Sequence, residues 1–132
     1  MILVDTSAWI EFLRGTESAA CHEVELLLGS AMAVSDPIAM EVLAGARDDQ
    51  HLQHLRGLLG RAEMLRVHSV DYASAAMLYR QCRQQGETVR RLLDCLIAAT
   101  AIRHDVPVLH CDEDFAVLAR HTALTVHSPT GT

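Results

Sequence analysis

The chain begins MILVDTSAWIEF (residues 1–12), and how Ile2-Leu3-Val4-Asp5 is read decides the architecture. A short, continuous apolar run is the signature of a strand buried on both faces, the kind found in parallel sheets covered by helices. Asp5 then stands at the carboxyl end of that strand, and Thr6-Ser7 opens a helix through Ala8-Trp9-Ile10-Glu11-Phe12. An acid in this position has two readings. Asp, Ser and Thr cap helices by accepting hydrogen bonds from unpaired amides. Open α/β sheets also bind their ligands at the carboxyl ends of their strands.

Working outward, short apolar runs alternate with longer helical ones. Strands are expected at Ile2 to Val4, Met32 to Ser35, Leu65 to His68, Val108 to His110 and Leu124 to His127. Helices are expected from Ser7 to Arg14 with a stop at Gly15, and from Ser18 to Leu28 with a stop at Gly29. The third starts at Asp36-Pro37, with Asp36 as the cap. The others run from Asp49 to Arg61, from Ser69 towards Gly86, from Arg91 to His104, and from Asp112 or Asp114 to near His121. This alternation predicts a parallel sheet with helices on both faces. No repeat, low-complexity tract or linker interrupts it, so residues 1–132 are expected to form a single domain.

The 132 residues are half hydrophobic, enough for a real core. No apolar run is long enough to span a bilayer, and the start lacks the features of a signal peptide, which sets the expected location in the cytoplasm. Cys21, Cys82, Cys95 and Cys111 form no C-x-x-C pair and lie in apolar surroundings, so buried, reduced thiols are expected. His51 and His54 lie three apart on an expected helix, but no acid or cysteine completes a metal set there, and the pair reads as a solvated face. All eleven basic residues are arginine. The absence of lysine excludes the P-loop phosphate contact and Schiff-base catalysis, and the net charge of −6 disfavours non-specific wrapping of nucleic acid.

The acids are oddly placed. Asp94 lies in RRLLDCLIAATAI (90–102), a helix apolar enough to be buried, where a carboxylate costs several kcal/mol unless compensated. Glu41 lies in IAMEVLAG (38–45), again among core-type residues. Asp112 and Asp114 follow the apolar PVLHC run at another strand end. Each has a local explanation. Asp94 has Arg90 and Arg91 as i−4 and i−3 neighbours, Glu41 fits the exposed face of a short helix, and Asp112 and Asp114 fit successive caps. Together they mean more: carboxylates gathered at one sheet edge repel, and a bound cation makes the cluster tolerable near neutral pH. An oxygen-only set indicates Mg²⁺ or Mn²⁺, ions that clamp phosphoryl oxygens, acidify water and steady a leaving oxygen.

The order VDTSAWIEFL, MEVLAGA, RLLDCLIAATAI and VLHCDEDFAVLA resembles the PIN domain, and within it the toxins of VapBC-type toxin–antitoxin modules, over nearly the whole chain. The resemblance implies a three-layer α/β/α sandwich with a central parallel sheet. It further implies a Mg²⁺- or Mn²⁺-dependent endoribonuclease that leaves a 5′-phosphate and a 3′-hydroxyl and is inhibited by a small VapB-type antitoxin. The four acids of the family fall on Asp5, Glu41, Asp94 and Asp112 as catalytic metal ligands. Asp114 matches the second acid of D-x-D-F, which supports the site or shares ligation. Thr6 and Ser7 match the polar pair that orients the first acid. On this reading Asp5 is a metal ligand and one of those hydroxyls takes over the helix cap.

RNA must still reach an acidic pocket. Arg80, Arg83, Arg90 and Arg91 are the dense basic group, flanking the expected turn at Gly86, and are the candidate RNA contacts; Arg90 or Arg91 would also face transition-state charge. Sparse aromatics fit recognition of a shaped loop rather than base stacking, and the resemblance supplies the target class, transfer-RNA or ribosomal-RNA loops. Trp9, Phe12 and Leu13 form a core-type stripe on the first helix, a region that in similar toxins borders the antitoxin groove. The resemblance also implies a homodimer. A phosphoacceptor module of similar architecture would need a lysine at a later strand end. A PIN-like module that binds RNA or protein without cutting, and a DNA nuclease with the same pocket, remain as rivals.

Overall fold

The computed structural model describes residues 1–129. Its strands are β1 (Ile2–Val4), β2 (Met32–Ser35), β3 (Glu63–Leu65) and β4 (Val108–Leu109). Its helices are α1 (Thr6–Arg14), α2 (Ala19–Leu27), α3 (Asp36–Ala44), α4 (Asp49–Leu59), α5 (Ser69–Gln84), α6 (Leu92–His104) and α7 (Glu113–His121). The strands form one sheet in the order β3-β2-β1-β4, and every pairing is parallel, with Leu3 opposite both Ala33 and Val108. Each parallel crossover carries helices, which flank the sheet and give the expected α/β/α sandwich.

The strand order places the site. From β1 the chain steps outward to β2 and β3, then returns through α5 and α6 to lay β4 on the other side of β1. The direction of winding therefore reverses between β1 and β4, and at such a switch point the loops leaving the two carboxyl ends diverge and open a crevice. Asp5 follows β1, and His110 to Asp112 follow β4.

Leu3, Val4, Val34 and Leu109 are fully buried in the sheet, covered by Trp9 from α1, Ile97 from α6, and Phe115 and Leu118 from α7. Trp9 meets Phe12 edge to face at 6.1 Å, so the aromatic part of the α1 stripe is core. Leu13 is exposed with Ile10. Gly15 ends α1 in the left-handed region (φ 61°), where its lack of a Cβ removes the steric cost. Cys21, Cys82 and Cys95 are buried as expected, but Cys111 is exposed, because it lies in the turn beyond β4 rather than in the strand. Among the described residues no helix is long and apolar enough to cross a membrane.

Two strands differ from expectation. The third is Glu63–Leu65, not Leu65 to His68, and Asp36 is the reason. Its carboxylate accepts the Val67 N–H at 3.0 Å and the Arg66 guanidinium at 2.7 Å, which pulls the chain off the ladder after Leu65. Asp36 is accordingly not the cap of α3. Ser35 occupies that position, and Asp36 is the first helical residue. The expected strand Leu124 to His127 is reduced to one parallel bridge between Val108 and Val126, since β4 is only two residues long and offers little ladder to extend.

At the end of α6 remote from Asp94, Asp71 of α5 is 1% exposed yet fully served. Its carboxylate accepts Arg103 Nε at 2.8 Å and Nη2 at 3.0 Å, Thr100 Oγ1 at 3.0 Å and the His68 N–H at 2.9 Å. The Arg103 hydrogen bonds, working against burial and helped by those of His68 and Thr100, hold its pKa down from 3.8 to about 2. The depression gives a contribution of about 2 kcal/mol, complete above the unfolded pKa and lost as pH falls from about 4 towards 2. Asp71→Asn should cost about 3 kcal/mol in urea unfolding at pH 7, and should flatten the fall in stability between pH 4 and 2. An unchanged acid limb would show that the pair does not carry that dependence.

Candidate active site at the switch point

Asp5 is buried and occupies the cap of α1. Its Oδ2 accepts both the Ser7 N–H at 3.0 Å and the Ser7 hydroxyl at 2.6 Å. The expected transfer of the cap to Thr6 or Ser7 does not occur, because one oxygen of Asp5 serves the helix. Ser7 Oγ also accepts the Cys111 N–H at 2.9 Å, which ties the start of α1 to the turn after β4. Burial pushes the Asp5 carboxyl above its usual range against the Ser7 hydrogen bonds, and the Glu41 charge adds to the rise.

Thr6 does something else. Its hydroxyl reaches across to α3 and donates to Glu41 Oε1 at 2.8 Å. The other oxygen of Glu41 accepts Arg91 Nη2 at 2.5 Å. Of the polar pair expected to orient Asp5, only Ser7 does so through its side chain, and Thr6 fixes Glu41.

Asp94, Asp112 and Asp114 converge. One carboxylate oxygen from each lies within 4.8 Å of the others, the one such group of three or more His, Cys, Asp or Glu among the described residues. Asp112 caps α7 by accepting the Asp114 N–H at 2.9 Å, and its own N–H donates to His110 Nδ1 at 3.2 Å. Asp114 is buried and holds the entry to α6: Oδ1 accepts the Arg90 N–H at 3.0 Å and Oδ2 the Arg91 N–H at 3.1 Å. Burial pushes the Asp114 carboxyl up, but these amides and the Asp94 carboxyl more than offset it and leave it below the usual range.

Asp94 is 2% exposed, and its Oδ2 has no hydrogen-bond partner among the described residues. Burial first, then the hydrogen bond with Asp114 and the Asp5 charge, push its pKa up to about 8, with Arg91 pulling the other way. Arg90 contributes a guanidinium 3.3 Å from Asp112 and 3.5 Å from Asp114. A buried carboxylate with an unpartnered oxygen, beside two more acids and with oxygen as the only donor type, fits a hard divalent cation.

Among the candidate RNA contacts, Arg90 and Arg91 lie on the acids, whereas Arg80 and Arg83 are exposed on α5, with Arg83 over the Tyr79 ring at 5.7 Å. His51 joins no metal-type group among the described residues; its Nδ1 accepts the Arg47 N–H just before α4. Asp114 was expected to support the site or share ligation, but its hold on the Arg90 and Arg91 amides, the Thr6 contact with Glu41 and the contact of His110 with Asp112 were not anticipated from sequence. The signal for the first was the spacing D-x-D directly before Phe115, which sets the second acid inside the helix and towards the core.

The PIN domain family model matches residues 2–121. Ribonuclease VapC11 of Mycobacterium tuberculosis is 48% identical over 132 residues, covering 97% of this chain and 98% of the relative. The crystal structure of FitAcB from Neisseria gonorrhoeae superposes with a TM-score of 0.78 at 21% identity over the full length of both chains. VapBC2 from Rickettsia felis, bound to a DNA fragment from its promoter, superposes with a TM-score of 0.76 at 20% identity over 96% of this chain and 98% of that one. With the acids gathered at the switch point and a match running through all seven helices, the chain belongs to the PIN-domain family, in its VapC ribonuclease branch.

Proposed function

We propose that the chain is the toxin of a type II toxin–antitoxin pair, a Mg²⁺-dependent endoribonuclease that acts in the cytoplasm on exposed loops of transfer or ribosomal RNA. A VapB-type antitoxin neutralises it, and the toxin itself works as a homodimer. The observation that carries the reading is the buried Asp94 with Oδ2 unpartnered beside Asp112 and Asp114. Near-full-length similarity to a protein named as a ribonuclease supports the substrate class.

Asp94 and Asp112 would hold the cation, with Asp5 facing them from β1 and Asp114 fixing the frame. When bound, Mg²⁺ supplies Lewis acidity to the phosphodiester and its attacking water. Water attacks phosphorus in line as a carboxylate takes its proton, the bond to the 3′ oxygen breaks and that oxygen takes up a proton from solvent, leaving a 5′-phosphate and a 3′-hydroxyl. A cleft lined by Thr6, Ile10, Leu13, Arg14, Glu41 and Val42 adjoins the acids. Its exposed apolar residues and its continuity with the site suit a carboxyl-terminal segment of the antitoxin.

The purified protein should cut total cellular RNA into discrete fragments with Mg²⁺, and not with EDTA. Asp5→Ala should lower the rate at least ~100-fold. RNA binding that persists while all three conditions give one pattern would favour a non-cutting module, and equal cutting of single-stranded DNA would favour a DNA nuclease. A second expectation concerns the cost of the buried charge. In EDTA at pH 8, Asp94→Asn should melt about 5 °C above wild type, because the amide keeps a donor towards Asp114 and removes the charge. Mg²⁺ should raise the wild-type melting temperature and leave the variant unmoved. A variant less stable than wild type in EDTA would mean that Asp94 is already compensated.

A further inference from the structure

Glu41 was expected among the cation ligands, but both of its oxygens are in use. Thr6 Oγ1 donates to Oε1 at 2.8 Å, and Arg91 Nη2 donates to Oε2 at 2.5 Å. The three acids whose oxygens converge do not include it. A carboxylate already bonded to a guanidinium is a poor ligand, because ligation would trade one charge-assisted bond for another and set the arginine loose.

Arg91 is held on two sides. Its N–H is pinned by Asp114 Oδ2 at 3.1 Å, and the preceding N–H by Oδ1 at 3.0 Å, so its backbone position is fixed by the same carboxylate that organises the acids. Its guanidinium is steadied by Glu41, itself steadied by Thr6. Yet the side chain is 48% exposed, and among the described residues Nη2 is its one guanidinium nitrogen with an acceptor. The charges of Asp94 and Asp5 both act on it, which places it beside the crevice. A planar guanidinium backed by a carboxylate and open on its remaining edge presents a pre-aligned fork to a phosphate.

We infer that Arg91, anchored by Thr6 and Glu41, is the residue that grips the substrate phosphodiester, and that Glu41 is its positioning residue rather than a cation ligand. The assignment rests on the ribonuclease reading for its substrate. It supplies what an acidic site on an acidic protein needs: a cation fixed in the chain, next to the reacting centre, whose orientation is set before RNA arrives. Arg90 is less suited, since its guanidinium lies against Asp112 and Asp114.

The test separates metal from phosphate. Mn²⁺ binding to the apo protein is measured by calorimetry for wild type, Glu41→Gln, Thr6→Val, Arg91→Lys and Arg91→Met, after circular dichroism has shown each to be folded. Binding of a short single-stranded RNA is measured in Ca²⁺, and steady-state cleavage in Mg²⁺. Mn²⁺ affinity should stay within about threefold of wild type in Glu41→Gln and Thr6→Val. Arg91→Met should weaken RNA binding at least tenfold and raise KM more than it lowers kcat, and Arg91→Lys should not restore the loss, lacking the fork. Glu41→Gln should give a smaller loss in the same parameter, Thr6→Val a smaller one still, and Glu41→Gln/Arg91→Met should be no worse than Arg91→Met alone. A tenfold or larger fall in Mn²⁺ affinity in Glu41→Gln, or additive losses in the double variant, would overturn the assignment. If wild type cuts no RNA, the ribonuclease reading fails. The inference then stands only if Arg91→Met still loses RNA binding while Glu41→Gln keeps its Mn²⁺ affinity, and it falls otherwise.

Discussion

One buried carboxylate holds the site together. Asp114 accepts the successive N–H groups of Arg90 and Arg91, one on each oxygen, and bonds to the Asp94 carboxyl as well. Helix α6 has no side-chain cap of its own, so an acid from another helix supplies the acceptors at its entry. The N-terminus of α6 is thereby fixed to that of α7, although the whole of α6, β4 and its two flanking turns separate them in sequence. Asp94 and Arg91 come with α6, Asp112 comes with α7, and their relative positions follow from a single residue. The same two amides hold Asp114 ionised at a place where it would otherwise add to the repulsion among the acids.

Helices α5 and α6 set two buried carboxylates side by side for comparison. Asp71 meets the far end of α6 and receives donors from Arg103, Thr100 and the His68 N–H, which hold its pKa at about 2. Asp94, near the other end, keeps one oxygen with no partner among the described residues and rises to about 8. Both are almost inaccessible, 1% and 2% exposed, but Asp94 lies deeper, so burial dominates its rise, and it lacks the arginine and hydroxyl donors that outweigh burial at Asp71. A fold that can satisfy a buried acid fully at one end of a helix, and leaves one open at the other, has its exception at the proposed active site.

Much of this was legible in the sequence because it depended on local pattern. Ile2-Leu3-Val4 before Asp5 announced a buried parallel strand with an acid at its end, and the apolar run around Asp94 announced a buried carboxylate; both follow from burial periodicity alone. What escaped depended on partners distant in sequence. Thirty-one residues separate Asp36 from the Val67 amide that it takes off the β3 ladder, and thirty-five separate Thr6 from Glu41. Asp5 and Ser7 showed the limit from another side. Capping and function looked like competing readings, yet a carboxylate has two oxygens, and using Oδ2 for the helix does not withdraw the residue from the site. The residues lost from the expected fifth strand fell to a length effect, since a two-residue β4 cannot support a longer neighbour.

Charge at the crevice then sets an order of events on the proposed reading. Among the described residues Asp112 and Asp114 pair with Arg90 and Glu41 with Arg91, while Asp5 and Asp94 have no ion pair, on a chain whose net charge is −6. Without a cation the crevice is anionic and repels a phosphodiester at short range, where low exposure weakens solvent screening. Asp94 softens this by holding a proton, but a protonated carboxyl is also a poor ligand. Asp94 and Asp112 would hold a divalent ion only with Asp94 deprotonated, which would reverse the local balance, and Arg91 would already stand oriented for the phosphate that follows. On that reading the cation would be a condition for substrate entry as well as for the reaction. The buried charge that weakens the free protein is what makes the site responsive to the ion.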